Sequence, residues 1–142
     1  LWVAAGDKNS GGAYSFYGVV AYSTSFTGTW TTIMPMGSGY SSIYSITYAD
    51  GKWVVGGSTG ANVAARIAYT TDLAGDWTTK DLWGNGTTKY NCIYGIAYAD
   101  GRWVAAGQSY DGTTYSGRIS YSTDDGVLPL ISIDDAYAYI RG

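Results

Sequence analysis

The side chains able to do chemistry in this chain are few in kind. There is no histidine, and all 11 acidic residues are aspartates. A Ser-His-Asp triad, a His-ligated metal and a glutamate general acid are therefore ruled out within these residues. Two aspartates suffice in principle to hydrolyse a glycoside. Asp50, Asp72, Asp100 and Asp124, however, all sit in sequences that read as turns, and Asp134-Asp135 reads as another. Asp124-Asp125-Gly126 and Asp134-Asp135 also supply too few oxygens at loop spacing for calcium. Arg66 and Arg118 share one repeat position and Arg102 occupies another. Such residues cover apolar surface with their stems and pair with turn carboxylates. Cys92 is the single cysteine, so no intrachain disulfide forms, and a buried thiol behaving as a small hydrophobe is expected. The reading is a chain with no catalytic residue, no metal and no cofactor.

What remains is a chemistry of surfaces. Fifteen tyrosines stand against two phenylalanines, and charged residues make up only 13% of the chain, below the roughly 25% of ordinary soluble domains. Tyrosine offers a flat apolar face and a hydroxyl, which suits half-exposed sites, sugar stacking and subunit contacts better than a dry core. The candidate ligand-binding residues lie in the segments that differ between repeats. They are Tyr14, Phe16 and Tyr17 in one loop, Tyr110, Asp111 and Tyr115 in another, and Tyr40, Trp83, Asn85 and Tyr90 in the linkers. Aromatic planes beside amides and carboxylates are what carbohydrate recognition requires. The competing reading has the same aromatics packing against neighbouring repeats or subunits.

The elements that would position these residues come from an internal repeat. Ile43-Tyr-Ser-Ile-Thr-Tyr-Ala-Asp-Gly-Lys-Trp-Val-Val-Gly-Gly57 returns as Ile93-Tyr-Gly-Ile-Ala-Tyr-Ala-Asp-Gly-Arg-Trp-Val-Ala-Ala-Gly107. Trp2, Trp53 and Trp103 are equivalent, and so are the segments beginning at Val19, Arg66 and Arg118. A repeat of this length signals a stacked or radial architecture. Each unit reads as four short strands. The first is Ile-Tyr-x-Ile-x-Tyr-Ala, rich in β-branched and aromatic residues. An Asp-Gly pair then supplies the positive φ values of a two-residue hairpin turn. Strand two is Trp-Val-x-x-Gly, strand three is Arg-Ile-x-Tyr-x-Thr, and strand four begins at Trp-Thr-Thr. No segment carries apolar residues at helical spacing over three turns. The expected fold is all-β and propeller-like, with about three four-stranded blades. A β-trefoil or β-prism with three repeats is the alternative. The units span approximately 1–42, 43–92 and 93–135. Residues 136–142 resemble a strand one that completes the first blade or a neighbour's.

Thr70-Thr-Asp-Leu-Ala-Gly-Asp-Trp77 resembles the Asp-box, or BNR repeat, Ser/Thr-x-Asp-x-Gly-x-Thr-Trp, with one extra residue before the glycine. Ser122-Thr-Asp-Asp-Gly126 keeps its first half, and Ser23-Thr-Ser-Phe-Thr-Gly-Thr-Trp30 its second. The Tyr-Ala-Asp-Gly-Arg-Trp-Val-Ala-Ala-Gly stretch is similar to an element of many bacterial and phage-encoded repeat proteins. The ending Ala136-Tyr-Ala-Tyr-Ile-Arg-Gly142 resembles tail-associated proteins of phages from Gram-positive hosts. The resemblance implies a structural hairpin turn between strands three and four, away from the ligand face. It carries over to Asp72, Gly75 and Trp77, and in part to Asp124 and Gly126. Asp-box propellers include sialidases, which use an arginine triad, a Tyr/Glu pair and an Asp acid. The missing Glu and the missing arginine signature set this chain apart from them.

The expected function is a non-catalytic binding module of a phage tail or extracellular appendage, recognising cell-surface carbohydrate. A structural or decoration protein acting through subunit contacts is one alternative, and a fragment of an Asp-box glycoside hydrolase is the other. Self-association or neighbouring blades of a longer chain would complete the ring. A net charge of −3 and the absence of any Lys/Arg cluster argue against nucleic acid. No signal peptide, spanning run or lipidation signal is read, so the expected location is extracellular or virion, without membrane insertion.

Overall fold

In the computed structural model the described residues are 1–9, 11–12, 15–60, 64–84 and 90–122, with the backbone of 131–133. Tyr14, Asn85, Asp124, Gly126, Asp134, Asp135 and the expected strand at 136–142 lie outside them. The described residues form eleven strands and no helix, arranged as three antiparallel sheets in chain order. The first sheet holds β1 (Trp2–Asn9), β2 (Phe16–Ser23) and β3 (Thr31–Ile33). The second holds β4 (Ser41–Ala49), β5 (Lys52–Thr59), β6 (Ala64–Thr70) and β7 (Thr78–Trp83). The third holds β8 (Cys92–Ala99), β9 (Arg102–Tyr110), β10 (Tyr115–Tyr121) and β11 (Ile131–Ile133). Within each sheet, strands adjacent in sequence are adjacent in space, and the described strands close no barrel.

The turns follow from two dipeptides. Asp50 and Gly51 have φ of 50° and 69°, and Asp100 and Gly101 have 49° and 76°. Positive φ at both central residues is the turn whose twist matches antiparallel strands, so β4 folds straight onto β5 and β8 onto β9. The pairing is not uniform, however. It shifts between Ile43 and Ser45 against Gly57 and Gly56, and between Ile93 and Gly95 against Gly107 and Ala106. Tyr44 and Tyr94 are the extra residues of two equivalent β-bulges. The bulge needs a glycine opposite. A Cβ on Gly57 would overlap the Ser42 carbonyl oxygen, and one on Gly107 would overlap that of Cys92.

The bulge also explains the Ile-x-x-Ile spacing. Without it, residues three apart in a strand would point to opposite faces. With it, Ile43 and Ile46 both join the core between the first and second sheets, and Ile93 and Ile96 the core between the second and third. The middle sheet is covered on both sides. Val55 (0% exposed) packs toward the first sheet with Val20 and Ala68, while Val54 (1%) packs toward the third with Ile67 and Trp103. Its strands β5 and β6 are accordingly buried almost throughout rather than on alternate residues.

β4 and β8 tie the sheets together. β4 packs on β1 and β2, and β8 packs on β4, β5 and β6. Thr47 Oγ1 donates to the Ile96 carbonyl at 2.8 Å, and the Ile96 amide donates to Ser45 Oγ at 3.1 Å. The Ile43 amide donates to Asp7 Oδ1 at 2.9 Å, and the Gly18 amide to Ser41 Oγ at 3.0 Å. These side chains satisfy groups that an edge strand otherwise leaves to water. Small residues set the spacing: a Cβ on Gly56 would stand 2.6 Å from Ile93 Cγ2.

Gly57→Ala and Gly107→Ala are each expected to cost about 3 kcal/mol or more, because a backbone carbonyl has to move. Gly95→Ala, which meets nothing within 4 Å, should change stability by less than about 0.5 kcal/mol. Urea denaturation of the three variants measures the contrast.

Candidate functional site

The sheets have two different ends. One carries the Asp-Gly turns and the Asp-box-like hairpin. The other carries the β1–β2, β5–β6 and β9–β10 connections together with the links between sheets, since Asn9 pairs with Phe16, Thr59 with both Ser41 and Ala64, and Tyr110 with Tyr115. Both ends carry aromatic contacts: those of the first end involve tryptophans, as in Trp2–Phe26, Tyr48–Trp53 and Tyr98–Trp103, and those of the second pair tyrosine with tyrosine.

The tightest group belongs to the third sheet. Tyr110 and Tyr115 face each other across the last rung of β9–β10, with ring centroids 4.6 Å apart, a cross-strand aromatic pair. Tyr90 joins both at 6.1 Å. Its φ of 72° is left-handed, which costs an aromatic residue about 1 kcal/mol. Strain of this kind concentrates where a side chain must be held for use. The support beneath is hydrogen-bonded. The Tyr110 amide donates to the buried Asn91 Oδ1 at 3.2 Å, Gln108 Nε2 donates to the Tyr90 carbonyl at 3.4 Å, and Trp83 Nε1 donates to the Gln108 carbonyl at 2.9 Å. Tyr90 and Tyr115 remain 48% exposed.

Two smaller groups lie on the same end. Tyr17 and Tyr40 approach to 6.2 Å, and the Tyr40 carbonyl accepts the Gly60 amide at 2.8 Å. Phe16, next to Tyr17 in β2 and so on the opposite face of the strand, is exposed. Tyr44 and Tyr94, the bulge residues, meet at 5.6 Å. This pair was not among the residues expected from sequence. The available signal was the spacing of three between Ile43 and Ile46, and between Ile93 and Ile96, which implies an extra residue whose side chain leaves the strand's alternation.

Not every expected residue is open at this end. Trp83 is buried in the core between the second and third sheets and its N–H is engaged. Asp111 Oδ1 accepts the Thr114 amide at 2.8 Å and the Thr113 amide at 2.7 Å. These bonds hold the carboxyl below the usual carboxylate range, so Asp111 is an ionised turn cap. At the opposite end Asp72 Oδ1 accepts the Ala74 amide at 3.0 Å, the Gly75 amide donates to the Asp72 carbonyl at 3.0 Å, and Trp77 packs against the core. In the first sheet Ser23 Oγ donates to the Ser25 carbonyl at 2.8 Å, as Thr70 Oγ1 does to the Asp72 carbonyl.

Reactive groups at the tyrosine end are held neutral. Cys92 is buried, and burial pushes its thiol up against the opposing effect of hydrogen bonds with Tyr94, Ser58 and Tyr44. The thiolate is thus disfavoured, and the side chain lacks the electropositive setting of a reactive cysteine. Tyr94 is pushed up to about 12, first by desolvation and then by Cys92. Among the described residues no three His, Cys, Asp or Glu side chains gather to hold a metal. A cleft of about 500 Å³ lies between the outer parts of the first and second sheets, near Met34, Met36, Arg66 and Trp77. Arg66 is tied there to both carboxylate oxygens of Asp81, Nε at 2.5 Å and Nη2 at 3.1 Å. No family model matches the chain, and no curated protein or solved structure matches it either.

The Tyr94 phenol binds its proton more tightly in the folded chain than in the unfolded one, whose value is about 10. Its contribution to stability is therefore complete below pH about 10 and lost as pH rises through about 12. Alkaline melting followed by circular dichroism should show this decline. Tyr94→Phe should flatten it and remove the latest phenolate step at 295 nm. An unchanged alkaline profile in the variant would contradict the assignment.

Proposed function

We propose that this chain is a propeller-like, non-catalytic binding module whose tyrosine-bearing end recognises cell-surface carbohydrate, as part of a phage tail or similar extracellular appendage. The observation that carries the reading is the Tyr90–Tyr110–Tyr115 group: three rings within 6.1 Å of one another, two of them about half exposed, held from beneath by Asn91, Gln108 and Trp83. A sugar presents a CH face that stacks on such rings and hydroxyls that bond to phenols and backbone groups. The propeller reading draws support from three consecutive antiparallel sheets of three, four and four strands whose strands β4 and β8 lie side by side, with the Asp-box-like turn at the end away from the tyrosines. The phage and extracellular assignment rests on resemblance and on a tyrosine-rich, charge-poor composition.

A purely structural role draws on a separate observation, the exposed Trp2, Phe26, Tyr48 and Val104, which lie apart from the tyrosine end. The two readings separate on one experiment. A glycan array probed with the intact protein should give a defined set of neutral glycans, and titration of the best of them should give a dissociation constant that Tyr110→Ala and Tyr115→Ala each weaken about tenfold, or about 1.4 kcal/mol. Melting temperatures should move little, because these side chains are partly exposed. Failure to bind any glycan, or binding indifferent to both substitutions, would leave only the structural role.

A further inference from the structure

The middle sheet has a covered neighbour on each side, and the other two sheets have one each among the described residues. Strand two of every unit obeys one rule. In the middle sheet Trp53 and Val55 turn toward the first sheet, while Val54 and Gly56 turn toward the third. In the first sheet Val3 and Ala5 point inward to the second sheet, so the alternation sends Trp2 and Ala4 outward. In the third sheet Trp103 and Ala105 point inward and Val104 and Ala106 outward. Exposure follows this arrangement. Trp2 is 53% exposed where its equivalent Trp103 is 0%, and Val104 is 37% exposed where its equivalent Val54 is 1%.

The outward face of the third sheet is a near copy of a face already buried within the chain. Register places Ile119 beside Ala106 and Tyr121 beside Val104 on that face. The corresponding inward face of the first sheet has Val20 beside Ala5 and Tyr22 beside Val3, and the second sheet covers it. The outward face of the first sheet, with Ala4 beside Ala21, corresponds in turn to Val55 beside Ala68, both 0% exposed where the first sheet covers them. In strands two and three, one open face therefore has the pattern that receives a following sheet and the other the pattern that docks on a preceding one, while no described strand of the first sheet stands where β4 and β8 make their contacts.

We propose that a second copy of this chain docks its first sheet on the outward face of the third sheet, continuing head to tail the stacking seen inside the chain. The contact is heterologous: two different faces meet, so further copies add until the rotation closes a ring or a fibre grows. Among the described residues Val104 and Ala106 are exposed on this face while Ile119 and Tyr121 are half-buried, and partly open apolar faces mark interaction surfaces. The inference stands on sheet packing alone and is independent of what the tyrosine end binds.

Sedimentation equilibrium of the full chain over a wide concentration range tests it. The expected result is a mass rising with concentration in whole multiples of 15.1 kDa. Ile119→Asp, which spoils the third-sheet face, and Ala21→Asp, which spoils the first-sheet face, should each remain at 15.1 kDa alone. Mixed in equal amounts, they retain one intact pair of faces and should form a species of about 30 kDa, twice the chain mass of 15.1 kDa, and nothing larger. Val104→Asp and Ala4→Asp repeat the test on the same two faces should a first variant lose its circular-dichroism signature. A wild type that stays monomeric throughout, variants that assemble like wild type, or a mixture that stays monomeric would each overturn the proposal.

Discussion

The close approach of Ser42 to Gly57, repeated by Cys92 to Gly107, is the constraint on which the rest of the structure depends. Only a residue without a side chain leaves room there for the neighbouring strand's backbone. That room admits the bulge, and the bulge shifts the register of β4 and β8 by one residue. A one-residue shift reverses every side chain beyond it. Ile43 and Ile46 thus reach one core, Ile93 and Ile96 the other, and Tyr44 and Tyr94 are turned out to meet each other. Core and surface are set by the same pair of glycines.

Sheet stacking then gives equivalent residues different environments. Trp2 and Trp103 hold the same repeat position in equivalent strands, yet one is exposed and the other fully buried. The difference lies in the neighbours: Tyr98 packs on Trp103 at 4.9 Å and Tyr48 on Trp53 at 4.6 Å, whereas Trp2 meets Phe26 of the following turn at 5.2 Å. Burial of a tryptophan is worth several times a typical hydrogen bond, so the ends of the stack hold less favourable packing than its middle. A repeat scaffold distributes stability in this way, through interfaces between units as much as within them.

Much of this was readable from local chemistry. Asp-Gly at 50–51 and 100–101 demands positive φ, and the structure has it. β-branched and aromatic runs between such turns leave few choices but antiparallel strands. The inward or outward fate of a single aromatic residue is a different matter. Trp83 and Tyr90 sit seven residues apart on one link, both aromatic. Trp83 enters the core because β7 has its own register irregularity beside Ala65 and Arg66. Tyr90 leaves it because its backbone is left-handed. Neither cause is carried by residue type. Asp111 was likewise ambiguous: a carboxylate beside tyrosines suits a sugar hydroxyl, but Thr113 and Thr114 follow closely enough for their amides to take it.

The electrostatics of the tyrosine end limit what it can recognise. Its thiol and its most perturbed phenol are both held protonated, and Oδ1 of the Asp111 carboxylate is engaged by its own turn. In the proposed binding role, the tyrosines there would contribute stacking and neutral hydrogen bonds, which are worth little individually in water. In that role a shallow platform of this kind would bind weakly as a single copy. Weak sites become useful on a surface when they are multiplied at fixed spacing, because each engaged site raises the effective concentration of the next. The head-to-tail stacking proposed from the bare outer faces would supply that spacing without any new element. The small, repeated, apolar strand that builds each core would then also set the distance between binding platforms.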